Sequence, residues 1–411
     1  MCLLGAVFDV VVSGRPVESN PIHNFNITEE VSVLDLQSRI DRLSEEEQMI
    51  RDSAASFFSD DAELQRIRAQ RGEQPGYSAG KWQEMAELGW FGSMLPEQYD
   101  GMGLKFGEVT HIFEQMGRAL APEPVISTAI LGAGAILNGD NDALKAAYLP
   151  LLALGEWKAT VAWQEKASSM SVDAECVVAT ADEGSYCITG KKLFVPGAAG
   201  ADAFVVSAKT THGTALFLVD KNSEGVSVEY ANRIDGGFFG AVTLENVSVG
   251  EDRLVAVNGS QVLSKVLDEA RLMASAELFG VMAQALEISV DYIKQREQFG
   301  KPIGSFQAIQ HRAVDAFILV ELSRSVLIQS ANTFDQTIDE TKRALAASQV
   351  KARCSDAALI VTKSCIQLHG GIGYADECNI GLYLKKAMIL AAWLGQGVYH
   401  RARYGELVNA A

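Results

Sequence analysis

The fold is decided by one stretch of sequence, Asp291-Tyr-Ile-Lys-Gln-Arg-Glu-Gln-Phe-Gly-Lys-Pro-Ile-Gly-Ser-Phe-Gln307. The apolar period of a long helix runs up to Gly300, and a second helical pattern starts after Gly304. The first helix is expected to close on residues 296–299, which present a guanidinium, a carboxamide and a phenyl ring beside a Gly/Pro turn. An arginine fork can hold two phosphate oxygens, and a phenyl ring can face a ring system. These residues alone leave two interpretations open: a phosphate site, or a plain helix end at which Arg296 complements the helix dipole.

Composition sets the broad class of the protein. The chain has 411 residues, too many for one ordinary core, and 48% of them are hydrophobic, enough to bury two or three packed units. No run in the sequence approaches the roughly 18 apolar residues that a membrane span needs. The net charge of −17 argues against binding to nucleic acid or to an anionic membrane, because the field of the whole molecule repels phosphates. A phosphate-bearing ligand must therefore be met by locally placed cations.

Cysteine and histidine usage argues against a metal site. The six cysteines include no CxxC pair, which favours reduced thiols in the cytoplasm, most of them buried as small hydrophobic side chains. The six histidines are scattered and form no HExxH array, so no metal is predicted. Residues 1–42 lack the early basic region of a signal peptide and are interpreted as an N-terminal extension.

Residues 43–156 have a helical period. Ser44 and Glu47 have the spacing of a capping box at the start of the first helix. Four more helices are predicted between Gly, Pro and Asn signals, at Gly80–Leu88, Phe106–Leu120, Val125–Leu137 and Asp142–Leu154. This part of the chain is predicted to be a helical domain.

In residues 157–256 the period changes from 3.6 to 2. Seven short alternating or β-branched runs follow, at 158–165, 174–181, 187–195, 203–209, 215–219, 226–230 and 241–247. They predict a small β-domain, a barrel or a sandwich, and not a parallel nucleotide-binding sheet.

Residues 257–411 return to the helical period. Four long apolar-striped segments, at 259–299, 305–334, 339–370 and 379–406, are enough for an antiparallel four-helix bundle. The predicted fold class is therefore α+β multidomain, with a helical domain, a small β-domain and a C-terminal four-helix bundle.

The order of these domains resembles that of the acyl-CoA dehydrogenase family, flavoproteins that usually assemble as tetramers. The resemblance covers roughly residues 43–405, and five stretches carry it: Leu43-Ser-Glu-Glu-Glu-Gln, Leu95-Pro-Glu-Gln-Tyr-Asp-Gly-Met-Gly, Ile188-Thr-Gly-Lys-Lys-Leu-Phe-Val, Arg296-Glu-Gln-Phe-Gly-Lys-Pro-Ile-Gly-Ser-Phe-Gln-Ala-Ile-Gln-His-Arg and Gln367-Leu-His-Gly-Gly-Ile-Gly-Tyr. Each stretch is weak alone, but their order and spacing are specific. The resemblance implies FAD as cofactor, an acyl-CoA substrate, and a cytoplasmic role in fatty acid or steroid degradation.

The resemblance also implies that FAD is held across a subunit interface. In the family an Arg-x-x-Phe-Gly segment reaches the neighbouring subunit's FAD, and a Gln-x-x-Gly-Gly-x-Gly segment lies along it. The corresponding positions here are Arg296, Gln298, Phe299, Gln307, Gln367, Gly370 and Gly371. Glycines suit this role because they leave backbone N–H groups unobstructed beside an anion.

In the β-domain, the family shields the flavin ring with an aromatic residue, and Phe194 fills that position. Two residues later the family has a hydroxyl that bonds the flavin, but Pro196 stands there and supplies none. The family's glycine-rich segment before it is replaced by Gln164-Glu-Lys-Ala-Ser-Ser-Met. Gln164 and Ser169 are candidates to bond the flavin or the thioester, and an ordinary strand-end loop is equally open.

The usual catalytic base has no counterpart in this sequence. Dehydrogenation needs a carboxylate that removes the α-proton and hydrogen bonds that stabilise the developing enolate. Most members carry a Glu after the Gly-Gly-x-Gly turn, where this chain has Leu394, and some carry it on the helix before the Arg-x-x-Phe-Gly segment, where it has Ala270. Asp268 and Glu269 lie nearby, but each helical residue rotates by about 100°, so they are interpreted as a solvated face. The catalytic residue stays unknown, and Arg271 is carried over as a substrate or active-site contact.

The two empty base positions make the sequence most similar to the small or non-catalytic subunits of heteromeric acyl-CoA dehydrogenases, such as those acting on dicarboxylyl-CoA (pimeloyl-CoA type) or steroid side-chain CoA esters. There a paralogous subunit contributes the base, in an oligomer arranged as a dimer of dimers. A homo-oligomer is also open. So are two other functions: a flavin enzyme of this fold with different chemistry, and a non-enzymatic structural or acyl-CoA-binding subunit.

Overall fold

The computed structural model describes residues 43–59 and 63–410, and the predicted N-terminal extension lies outside them. The first part is helical, with α1 (Glu45–Phe57), α2 (Glu63–Ala69), α3 (Ala79–Glu87), α4 (Phe106–Ala119), α5 (Ala133–Leu137) and α6 (Asp142–Ala153). The capping box at α1 is confirmed, because Glu47 N donates to Ser44 Oγ at 3.1 Å and Ser44 N donates to Glu47 Oε2 at 2.7 Å. The helix predicted from Val125 begins as a π-helix, Ile126–Gly132, before continuing as α5.

The middle of the chain forms one mixed sheet. Its strands are β1 (Ala159–Ala162), β2 (Val178–Asp182), β3 (Ser185–Pro196), β4 (Ala203–Thr210), β5 (Gly213–Asp220), β6 (Val226–Asn232), β7 (Phe238–Gly250) and β8 (Leu254–Ala256). They lie in the order β6-β7-β3-β2-β4-β5-β8, with β1 paired to β4. Only the β1–β4 and β2–β4 pairs are parallel among the described strands. All seven predicted strands are present, and three-residue β8 is too short to show a period.

Among the described residues of the last part, five α-helices are present where four were predicted. They are α7 (Gly259–Gln295), α8 (Gln307–Gln336), α9 (Glu340–His369), α10 (Ile380–Ala392) and α11 (Gly397–Ala410). The predicted fourth helix is divided by a turn at residues 393–396, in which Leu394 has φ +64° and Gly395 has φ +106°. Left-handed backbone cannot continue a right-handed helix, so the helix is interrupted at this turn.

Helix α7 is the central helix of the molecule and packs against α4, α8, α9 and α10. One 18-residue window of α7 is apolar enough to cross a membrane, but 83% of it is buried inside the protein, as expected of a core helix. Its neighbours approach closely: a Cβ on Gly280 would lie 1.9 Å from the carbonyl oxygen of Glu114 in α4. The prediction that Asp268 and Glu269 lie on a solvated face is wrong, because their exposed fractions are 5% and 7%.

The structure of residues 291–307 also differs from the predicted one. Helix α7 ends at Gln295, four residues before Phe299, because Arg296 is already extended (φ −72°, ψ 117°). Phe299 (φ +55°) and Gly300 (φ +76°) are left-handed. Two short strands, β9 (Glu297–Gln298) and β10 (Lys301–Pro302), pair antiparallel around them. The residues predicted to close the helix therefore form a small hairpin that follows it.

The cysteine prediction is wrong for most of the described thiols. Cys354 and Cys365 are buried, and burial raises the pKa of each thiol to about 12. Cys176 is exposed, while Cys187 and Cys378 are half-buried, and none of these five is in a disulfide. No group of His, Cys, Asp and Glu suited to a metal occurs among the described residues.

Candidate active site

The position of the missing base lies in the turn between α10 and α11. Leu394 is 1% exposed, and its carbonyl oxygen accepts hydrogen bonds from Arg271 Nε at 3.2 Å and His400 Nε2 at 3.0 Å. Burial and the charges of Arg271 and Lys351 lower the pKa of His400 to about 2, so the ring is neutral and Nε2 carries its proton. Two basic side chains therefore fix the backbone at this position, while its side chain is aliphatic.

Lys351 anchors the same turn from α9. Its side chain is fully buried, and Nζ donates to the carbonyl oxygens of Leu390 at 2.9 Å, Ala391 at 3.2 Å and Gly395 at 3.1 Å, and to Ser355 Oγ at 3.0 Å. The α10 carbonyls are free because a helix leaves its last four without internal partners. No carboxylate lies within ion-pair distance of Lys351 among the described residues, and burial, together with the charge of Arg271, lowers its pKa to about 7.

Arg271 also takes part in a buried charge network. Its Nη1 donates to Asp268 Oδ1 at 2.7 Å, and Arg403 from α11 holds both oxygens of Asp268, at 2.7 and 2.8 Å. Asp268 is thus fully occupied by two arginines, so it cannot serve as a free base. Ala270 lies between Asp268 and Arg271, is fully buried, and offers only a methyl group. Neither predicted base position supplies a proton acceptor.

The β-domain brings two predicted cofactor positions together. Leu193 N donates to the carbonyl oxygen of Gln164 at 2.7 Å, which ties the loop after β1 to the residue before Phe194 in β3. Phe194 is 43% exposed and left-handed (φ +52°) at an irregularity in the β3–β7 pairing. The side-chain nitrogen Nε2 of Gln164 donates to the backbone carbonyls of Lys166 at 3.1 Å and Ser169 at 3.2 Å, which holds the loop that follows β1 in a compact turn. The ring of Phe194 is therefore presented outward beside this loop.

A buried ion pair supports that loop from below. Lys192 Nζ bonds Glu165 Oε1 at 2.8 Å and Ser207 Oγ at 2.9 Å. Burial alone would raise the pKa of Glu165, but bonds from Lys192 and from the amides of Cys176 and Glu175 lower it to about 2. Burial, partly opposed by Glu165, lowers the pKa of Lys192 to about 8. The pair fixes the strand ends on which Gln164 and Phe194 stand.

The other predicted cofactor residues meet at the opposite end of α7. Phe299 at the hairpin tip is 93% exposed, and Arg296, Gln298 and Gln307 are exposed as well. Tyr292 of α7 stacks on His369 of α9 with ring centroids 4.4 Å apart. This contact holds the helix end before the hairpin against the helix end before the glycine turn. This grouping contains Arg296, Gln298, Phe299, Gln307, Gln367, Gly370 and Gly371.

These residues fit a large anionic cofactor. A Cβ on Gly370 or Gly371 would have no heavy atom within 4 Å, so the backbone there is open to a ligand. No hydrogen bond or salt bridge of the described residues joins this group to the β-domain positions. The two groups are therefore not bonded to each other directly, and Pro196 supplies no hydroxyl to the β-domain group.

Three residues that matter here were missed in the sequence. Lys351 lies in the buried stripe of α9 with Ala347, Cys354 and Ala358 at spacings of three and four. A single lysine within such an apolar stripe is the sequence signal that would have indicated a buried lysine. His400 and Arg403 carry no comparable pattern, because their roles depend on the turn at Leu394.

Known protein families match all three parts of the described chain. Family models match residues 44–156 (acyl-CoA dehydrogenase, N-terminal domain), 162–247 (middle domain) and 258–407 (C-terminal domain). An acyl-CoA dehydrogenase of Bacillus subtilis is 29% identical over 331 residues, which cover 77% of this chain and 86% of that protein.

Solved structures agree in fold along nearly the full chain. A variant of the Tcur3481-Tcur3483 steroid ACAD superimposes with a TM-score of 0.81 at 32% identity, covering 89% of this chain and 98% of that one. The ChsE4-ChsE5 complex from Mycobacterium tuberculosis gives a TM-score of 0.82 at 25% identity, covering 90% of this chain and 98% of that one.

Proposed function

The chain belongs to the acyl-CoA dehydrogenase family, and from this premise we propose that it is a subunit of a heteromeric acyl-CoA dehydrogenase whose catalytic base comes from a paralogous partner. Members of the family are oxidoreductases that act on CH–CH groups of acyl-CoA. The observation that carries the proposal is the pair of buried apolar side chains, Leu394 and Ala270, at the two positions where a base is expected. Neither can accept a proton, and the nearby Asp268 is occupied by two arginines.

FAD would supply the hydride acceptor when bound. The exposed hairpin would reach it, with Arg296 binding phosphate oxygens and Phe299 covering a ring. Gly370 and Gly371 would offer unobstructed amides, and Phe194 would shield the flavin from one side. Arg271 and His400 act on the protein itself, because they hold the Leu394 turn in a fixed position. An α-proton would have to be removed by a carboxylate that reaches this site from the partner.

Oligomer formation is supported by the two groups of cofactor positions, which no hydrogen bond or salt bridge of the described residues joins within one chain. One FAD would contact Phe194 and Gln164 of one subunit and the hairpin of another, so a complete site needs a neighbour. The steroid ACAD relative is named for two proteins, Tcur3481 and Tcur3483, and the other relative is a ChsE4-ChsE5 complex, which supports a second, different subunit as the neighbour. The free thiols among the described cysteines fit a cytoplasmic protein.

The test is to purify the chain alone and after co-expression with a paralogue from the same source. We expect the lone chain to show no turnover with butyryl-CoA, pimeloyl-CoA or a steroid side-chain CoA ester, and the pair to turn over one of them. Replacing the partner's counterpart of Leu394 or Ala270, where that is a Glu, by Gln should abolish the activity of the pair. Full dehydrogenase turnover by the flavin-loaded lone chain would refute the proposal.

A further inference from the structure

A cavity of about 250 Å³ lies between the first third of α7, the connection from α8 to α9, and α11. Phe334 and Leu407 give it an apolar wall, Ile338, which is 90% exposed, lies at its open rim, and Ser264 and Thr341 add hydroxyl groups. At roughly 30 Å³ for each water-sized group, it has room for about eight such groups. That is enough for a small molecule or for one ring of a larger one.

Glu269 is the unusual member of the cavity wall. It is 7% exposed, and the described residues form neither a hydrogen bond nor a salt bridge with its carboxyl group. Its Oε2 lies 3.7 Å from the point that a Cβ on Gly134 of α5 would occupy, so on that side it meets a glycine and no polar group. The neighbouring Asp268, by contrast, is held by two arginines. The oxygens of Glu269 are not among the fully buried side-chain atoms that lack a partner, so they stay accessible to a ligand that can bond to them.

The wall of the cavity carries three basic side chains (Lys265, Arg343 and Arg403) and three acidic ones (Asp268, Glu269 and Glu340). Arg403 pairs with Asp268, Arg343 donates to the carbonyls of Thr337 and Phe334 at 2.6 Å each, and Lys265 Nζ donates to Asn138 Oδ1 at 2.5 Å. The basic and acidic side chains of the wall are equal in number, so its overall charge favours neither an anionic nor a cationic ligand. The arrangement suits a neutral ligand.

The protonation of Glu269 agrees with that conclusion. Burial raises the pKa of its carboxyl group to about 7, with Lys265 and Arg343 opposing the rise and Asp268 adding to it. Glu340 and Arg403 complete the charged groups of the wall. A carboxyl group that is partly neutral near pH 7 can donate as well as accept a hydrogen bond.

We propose that this cavity binds an uncharged ligand with a hydroxyl or carbonyl group on an apolar body, and that Glu269 is its hydrogen-bonding partner. The ligand is either a separate small molecule or the far end of an acyl group. The second source rests on the proposed function, whereas binding itself requires neither FAD nor turnover.

The test uses cyclohexanol and methylcyclohexane, which differ by a hydroxyl in place of a methyl group, in calorimetric or ligand-observed NMR titrations of the full chain. We expect cyclohexanol to bind roughly tenfold more tightly, as one buried hydrogen bond would give. Glu269→Gln should keep the preference and Glu269→Leu should lose it. Ala344→Phe, which fills the cavity from its wall, should abolish binding of both compounds. Equal binding of the two compounds by the wild type, or a preference that survives Glu269→Leu or Ala344→Phe, overturns the proposal.

A second arm distinguishes the two sources. The chain is saturated with an ω-hydroxyacyl-CoA and then titrated with cyclohexanol. Displacement of cyclohexanol assigns the cavity to the acyl group, and undiminished binding assigns it to a separate small molecule. Failure of the proposed function would leave the cyclohexanol preference unchanged, so the two results are distinguishable.

Discussion

Replacing Lys351 by Met should change stability in a way that depends on pH. The ammonium group is fully buried, binds three backbone carbonyls and Ser355, and has no carboxylate partner among the described residues. Its pKa falls from the usual 10.5 to about 7. At on the order of 1.4 kcal/mol per unit, this lowering costs the folded protein about 5 kcal/mol when the lysine is protonated. Met keeps the apolar stem, removes this cost, and leaves the three carbonyls without their donor.

The direction in which stability changes with pH follows from the number of protons that each state binds. Because the pKa of Lys351 is lower in the folded state, the unfolded state binds more protons between pH 7 and pH 10.5. The cost is therefore fully present below about pH 7 and is relieved as pH rises towards 10.5. Lys351→Met lacks this dependence, so its destabilisation relative to wild type should grow by about 3 kcal/mol from pH 7.5 to pH 9.5.

The assay is urea unfolding of both proteins across this range, followed by circular dichroism. Lys363→Met is the matched control, since Lys363 is an exposed lysine on the same helix, and its difference from wild type should stay constant. Parallel pH dependences for wild type and Lys351→Met would refute the reasoning, because they would mean that the buried lysine titrates as it does in the unfolded chain.

Three further predictions test other parts of the structure. Glu165→Gln should cost about 3 kcal/mol of unfolding free energy in urea, because it leaves Lys192 buried without its carboxylate; unchanged stability would contradict this. Arg296→Ala combined with Phe299→Ala should weaken FAD binding roughly tenfold to a hundredfold in a flavin fluorescence titration. The Tm should not fall, since both side chains are exposed. An unaltered FAD affinity would contradict the assignment of the hairpin as an FAD contact. Leu394→Glu should raise dehydrogenase turnover of the lone FAD-loaded chain at least about a hundredfold, and no gain would mean that position 394 does not face the substrate.

The elements that sequence predicted well are those set by local signals. The capping box at Ser44, the period-2 strands and the helical periods depend on neighbours within a few residues, and the structure confirms them. The order of helices, sheet and helices followed from the same signals. The family resemblance, which needs only the motifs and their spacing, is confirmed as well.

The features that sequence missed depend on distant parts of the chain. Charged residues at 268 and 269 suggested a solvated face, but α7 is enclosed by other helices, and Arg403 from more than a hundred residues away neutralises Asp268. The end of α7 was predicted too late because Arg296 leaves the helical backbone and leads into the β9–β10 hairpin, where Phe299 adopts a left-handed backbone that is uncommon for an aromatic residue. Lys351 was overlooked because its partners belong to the break after α10, which was itself predicted as continuous helix.

The central claim is that this chain holds FAD but relies on another subunit for the base. Its most direct test is to add acyl-CoA without oxygen to the FAD-loaded lone chain and to the co-purified pair, and to follow the visible absorbance of the flavin. The account predicts rapid bleaching in the pair and none in the lone chain. Equal bleaching rates in both would contradict it.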